Sequence, residues 1–150
     1  MREGCLGLEH MKPTRTCLVV DDSELIRKVA CVYLEQLGYL VSQAESGDAA
    51  LSRLEVELPD LILIDWCMPG LPSRETIARI RAHSGGDYPT VVYLTTQLDH
   101  HDIAEAKLAG ANAYLLKPFN RSDFVGKMNE LTLKRLRPSA FRSDGIGSAL

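Results

Sequence analysis

The chain has 150 residues, 45% of them apolar and 25% charged, and 17 basic against 20 acidic side chains leave a formal net charge of -3. This is the composition of one ordinary globular domain, and a chain of this length buries about 68 to 70% of the surface its unfolded form exposes, enough to fold without a disulfide or structural metal. A membrane span is excluded, because apolar runs such as Leu61 to Ile64 fall far short of the ~20 residues that cross a bilayer.

The first ten residues, MREGCLGLEH, carry two acids and no sustained apolar stretch, so they do not form a secretory signal, and a cytoplasmic location is expected. Cys5, Cys17, Cys31 and Cys67 are spaced 12, 14 and 36 residues apart. That spacing contains no CxxC pair or zinc pattern, and reduced thiols are expected. Residues 1–120 hold 11 basic and 17 acidic residues, whereas 121–150 hold 6 and 3. The basic end is too short for an appended helix-turn-helix domain, which argues against direct DNA binding.

Apolar runs and helical periodicity alternate along the chain in the manner of βα units laid into a parallel sheet. Thr16 to Val20 (TCLVV) predicts a strand that ends in Asp21 and Asp22. Ile26, Val29, Tyr33 and Leu37 recur at steps of three and four within a helix over Ser23 to Leu37, and Gly38 supplies its stop. Tyr39 to Ala44 predicts the second strand, and Asp48 to Leu58 a helix closed by Pro59. Leu61 to Ile64 is the most apolar run, as a central strand buried on both faces requires, and it ends in Asp65. Ser73 to Ala82 predicts the third helix, Thr90 to Leu94 a strand ending in Thr95 and Thr96, and Asp99 to Ala109 a helix stopped by Gly110. Ala113 to Leu116 is the fifth strand, ending in Lys117-Pro118, and the last helix runs from about Asn120 to Leu136. One domain over 15–136 is expected, between a flexible leader, 1–14, and a flexible Ser- and Gly-containing tail, 137–150.

In an open parallel sheet, ligands bind outside the carboxyl ends of the strands. The residues placed there are Asp21, Asp22, Asp65, Thr95 and Lys117. Three crowded carboxylates repel one another, and a divalent cation removes the conflict. Mg²⁺ suits such a site, with Mn²⁺ able to substitute, because it takes a few carboxylates and leaves positions for phosphate oxygens. The three carboxylates, one Mg²⁺ and Lys117 sum formally to zero charge.

With this five-unit rhythm, the set Asp21-Asp22, Asp65, Thr95 and Lys117-Pro118 resembles the receiver domain of two-component response regulators over about residues 15–136. The resemblance implies a flavodoxin-like (βα)5 doubly wound parallel sheet with strand order 2-1-3-4-5. It implies that Asp65 is the phosphoacceptor and that Asp21 and Asp22, with Asp65 and the backbone carbonyl of Cys67, hold Mg²⁺. Lys117 would contact a phosphoryl oxygen, and Pro118 would follow a cis peptide. Thr95 would turn its hydroxyl to the phosphoryl group while Tyr114 rotates inward, changing the surface of the fourth helix, fifth strand and fifth helix. Catalysis would be confined to the protein's own phosphorylation and dephosphorylation, so an enzyme acting on a separate substrate is not expected.

The implied partners are a histidine kinase or histidine phosphotransfer protein, docking over the first helix near Ile26 and Val29, and a downstream protein target. The protein would be a monomer or a phosphorylation-dependent dimer. The chain would act as a single-domain regulator, either as a chemotaxis-type output ligand or as a phosphorelay shuttle. Thr96, Cys67 and Gln97 depart from or tune the common pattern and bear on the lifetime of the phosphorylated state.

Each residue has a plainer reading. Asp65 alone would be a turn residue, Tyr114 a half-buried sheet residue, Trp66 a packed ring, and Cys67 a small side chain at a variable position. His100 and His101 point about 100° apart on a helix, which suits a solvated helix start and not chelation. An unphosphorylated scaffold is disfavoured by the intact pocket. A haloacid-dehalogenase-like phosphatase wants an acid where Cys67 stands, and a flavin-binding protein wants a Ser/Thr/Gly-rich phosphate loop after the first strand.

Overall fold

The computed structural model describes residues 14–136; the leader to Pro13 and the tail from Arg137 lie outside the described residues. Five parallel strands, β1 (Thr16–Val20), β2 (Leu40–Ala44), β3 (Leu61–Asp65), β4 (Thr90–Thr95) and β5 (Ala113–Leu116), form one sheet in the order β2-β1-β3-β4-β5. The helices between and after them are α1 (Glu24–Gln36), α2 (Gly47–Leu54), α3 (Ser73–Ala82), α4 (His100–Ala109) and α5 (Arg121–Leu136). The expected strand order and fold class are those found.

Successive side chains of a strand point to opposite faces of the sheet, and this alternation builds two cores. Leu18, Val20, Ile62, Ile64, Val91 and Tyr93 pack against Ala50 and Leu54 of α2, Ile77 and Ile80 of α3, and Ala106 of α4. Cys17, Val19, Leu61, Leu63, Val92 and Leu94 face Ala30 and Leu34 of α1 and Phe124 and Met128 of α5. Every residue of β3 is buried, as a strand covered on both faces must be.

Local chemistry sets the helix starts. The side chain of Ser23 accepts from the N–H of Ile26, and that of Asp99 accepts from the N–H groups of His101 and Asp102. Both residues are therefore caps, and each helix starts one position after its predicted first residue.

One helix end departs from the predicted bound by several residues. The second helix stops at Leu54 instead of Leu58, because Leu54 is the last side chain it buries and Val56 is 87% exposed. The N–H groups of Val56 and Glu57 then turn back to the Arg53 carbonyl, before Pro59 excludes helical geometry for Leu58.

Candidate functional site

The carboxyl ends of β1, β3, β4 and β5 come together because the strands run parallel and in register. Val20 lies beside Ile64, Asp65 beside Leu94, and Thr95 beside Leu116. Asp21 and Asp22 follow β1 directly, Asp65 and Thr95 are the last residues of β3 and β4, and Lys117 follows β5. Asp21 is fully buried and Asp65 is 6% exposed, while Asp22 faces solvent.

Lys117 reaches between the two buried acids, with Nζ 2.9 Å from Asp21 Oδ2 and 3.1 Å from Asp65 Oδ1. Burial and the neighbouring Asp21 charge push the Asp65 carboxyl up to about 6, against the opposing pull of Lys117 and the Cys67 N–H. Lys117 itself is held above its ordinary value, because its bonds and attraction to Asp21 and Asp65 outweigh the desolvation that opposes them. One ammonium thus restrains two carboxylates without cancelling them.

Backbone contacts fix the acids in place. Asp21 Oδ1 accepts from the Ser23 N–H at 2.9 Å, and Arg27 Nη1 donates to the Asp21 carbonyl at 2.6 Å. The buried Ser73 hydroxyl donates to the Asp65 carbonyl at 2.5 Å. Sequence reasoning missed Arg27 and Ser73 as supports; Ser73 is eight positions from its partner and no local pattern marks it.

One carboxylate oxygen from each of Asp21, Asp22 and Asp65 lies within 4.8 Å of the others. Asp21 Oδ2 is buried and, apart from its 2.9 Å ion pair with Lys117, has no aligned hydrogen-bond partner among the described residues. A buried carboxylate oxygen with lone pairs to spare, beside a second acid that is open to water, fits a hard, partly hydrated cation such as Mg²⁺. The Cys67 N–H approaches Asp65 Oδ1 at 3.4 Å, which places its loop at the rim of the cluster.

Thr95 stands at the same edge, but its hydroxyl donates to the Gln97 carbonyl at 3.0 Å and is not bonded to the acids. Tyr114 is half-buried, with its ring centroid 6.0 Å from that of Tyr93 and Lys127 Nζ 5.5 Å from its centre. Thr96 and Gln97 are exposed, as are His100 and His101, and His101 faces Glu105 at 3.4 Å, away from any chelating arrangement. The Lys117-Pro118 peptide is cis. On α1, Ile26 packs against the core and Val29 is half-buried. The apolar side chain this helix offers near the acids is Leu25, 69% exposed. Among the described residues, no helix is long and apolar enough to cross a membrane.

Known proteins resemble this chain in sequence and fold. The chain is 34% identical over 126 residues to the phosphate regulon transcriptional regulatory protein PhoB of Escherichia coli (strain K12), an alignment covering 84% of this chain and 55% of that protein. The chain therefore spans about half the length of the curated relatives it matches. Among solved structures, it is similar to the chemotaxis response regulator CheY4 of Vibrio cholerae, with TM-score 0.75 and 30% identity over 79% of this chain and 98% of that one. It is also similar to a CheY-like response regulator receiver domain protein of Methanospirillum hungatei, with TM-score 0.75 and 25% identity over 85% of this chain and all of that one. The family model described as "Response regulator receiver domain" matches residues 17–129, and the chain accordingly belongs to the receiver domain family of two-component response regulators.

Proposed function

We propose that the protein is a phosphorylation switch in which Asp65 accepts a phosphoryl group from a phosphohistidine. The observation that carries this reading is the Lys117 ammonium set 2.9 and 3.1 Å from two buried carboxylates at the open end of a parallel sheet. One oxygen of Asp65 forms the bond to phosphorus as the phosphorus–nitrogen bond breaks, and the electron pair leaves with the imidazole. Lys117 transfers one of its contacts from Asp65 to a phosphoryl oxygen. Asp21, Asp22, Asp65 and the Cys67 carbonyl would hold Mg²⁺, which would supply neutralisation of the phosphoryl charge. The protein's contribution is position and electrostatics, as a loose phosphoryl-transfer transition state requires.

The Thr95 hydroxyl then releases the Gln97 carbonyl and donates to the phosphoryl group, drawing in the exposed loop Thr96 to Asp99. Tyr114 follows by turning inward, and the α4-β5-α5 surface changes its affinity for a downstream protein. Receiver domains interact with histidine kinases and with effectors; here the donor is a histidine kinase or histidine phosphotransfer protein that docks over α1. The signal is conformational, and the only chemistry is the protein's own phosphorylation and dephosphorylation.

Intact mass measured after incubation with Mg²⁺ and acetyl phosphate tests this reading. One added phosphoryl group in the wild type and none in Asp65→Ala is the expected result. No addition to the wild type, under conditions that label a control receiver, overturns it in favour of an unphosphorylated scaffold.

A further inference from the structure

Tyr93 ends its side chain in an anomaly. The residue is 3% exposed, and its hydroxyl has no hydrogen-bond partner among the described residues. A buried hydroxyl left unpaired raises the energy of the conformation that contains it, and such groups call for an explanation. Its position supplies one. The Tyr93 ring lies 5.1 Å from Trp66, the residue after the acceptor, and 6.0 Å from Tyr114. In the same cluster it packs with Ile103 and Ala106 of α4.

The α4 helix is held unequally at its two ends. At the C-terminal end, Arg81 Nε and Nη2 donate to the Gly110 carbonyl at 3.0 and 2.8 Å, and Arg81 Nη1 ties the same side chain to the Gly86 and Pro89 carbonyls. At the N-terminal end, Thr96 to Asp99 are all exposed, and this loop leads directly from Thr95. Drawing the loop inward would therefore carry the first turn of α4 with it, while Arg81 holds the far end. Asp102, half-buried in that first turn, precedes Ile103, which packs against the same cluster as Tyr93. Burial, followed by the Tyr114 and Asp102 charges, pushes the Tyr93 hydroxyl up.

We propose that Tyr93 is a positioning residue of the switch, whose hydroxyl is unpaired in the resting conformation and donates to the Asp102 carboxylate once the first turn of α4 moves inward. The unpaired hydroxyl disfavours the resting state and the new bond favours the switched one, so both act in the direction of switching. The proposal rests on the phosphoacceptor reading above, because it needs Thr95 to draw the loop.

The test is a titration of the whole chain with beryllofluoride, a phosphoryl analogue, in saturating Mg²⁺, read by Trp66, the single tryptophan. Wild type, Tyr93→Phe, Asp102→Ala and the double variant are compared, with thermal midpoints taken in the absence of ligand. Tyr93→Phe is expected to raise the unliganded midpoint and weaken apparent beryllofluoride affinity by about fivefold to a hundredfold, the range for one unsatisfied buried hydroxyl. Asp102→Ala is expected to weaken it too, and the double variant to do no worse than the weaker single one. A wild-type response that Tyr93→Phe leaves unchanged overturns the proposal alone, as does strict additivity of the two substitutions. No response from the wild type overturns the phosphoacceptor reading and the proposal with it.

Discussion

Replacing Asp65 by Asn keeps the shape of the acceptor and removes its charge. In the metal-free protein the wild-type carboxyl titrates at about 6 against an ordinary value of 3.8, with burial as the first cause and the Asp21 charge as the second. The folded state therefore binds the proton more tightly than the unfolded state. Stability should fall as pH rises through the window from about 4 to about 6 and stay low above it. At about 1.4 kcal/mol per pKa unit the full penalty is roughly 3 kcal/mol. Because the carboxylate lies just below solvent, screening reduces this, and about 1–3 kcal/mol is expected. Urea unfolding in chelator at pH 7.5 should show Asp65→Asn more stable than wild type by that amount, with the difference closing near pH 4. Added Mg²⁺ should stabilise the wild type more than the variant. A variant of equal or lower stability in chelator at pH 7.5, or a gap that does not narrow in acid, would refute the electrostatic argument.

Other perturbations probe the remaining parts of the pocket. Asp21→Asn removes one of the three clustered acids and should weaken Mg²⁺ binding by about tenfold or more, measured by Trp66 fluorescence or calorimetry. Lys117→Ala leaves Asp21 and Asp65 facing each other without their shared ammonium. It should destabilise the metal-free protein at pH 7.5 by about 3 kcal/mol, the scale for breaking a buried ion pair, and slow labelling by acetyl phosphate. Ser73→Ala deletes the buried bond to the Asp65 carbonyl and should cost about 1 kcal/mol in urea unfolding. Gly110→Ala forces a Cβ to 2.6 Å from Arg81 Cγ at φ +119°; its thermal midpoint should fall by several degrees, an energetic cost above about 1 kcal/mol.

The sequence by itself determined the number and order of the βα units, since hydrophobic runs ending in acids, a threonine or a lysine mark the strands and the exits of their chains. The acidic pair, Asp65, Thr95 and Lys117 were legible for the same reason: a parallel sheet exposes its chemistry where its strands stop. Helix ends were less legible. The second helix is predicted to run to Leu58 because Pro59 is the first strong stop, yet the helix ends at Leu54, and Leu58 packs against the core from the segment that follows.

What only the tertiary structure decided is how these groups stand toward one another. The register of β3, β4 and β5 sets Lys117 between Asp21 and Asp65, and local sequence carries no signal for a contact across 52 positions. The same holds for the Thr95 hydroxyl, turned to Gln97 and away from the acids, and for Ser73 beneath Asp65. It holds also for Tyr93, which reads as an unremarkable strand residue until packing places its hydroxyl where none of the described residues bonds it. Hydrophobic pattern is a local property of the chain, whereas desolvation and charge proximity depend on which distant residues close the site.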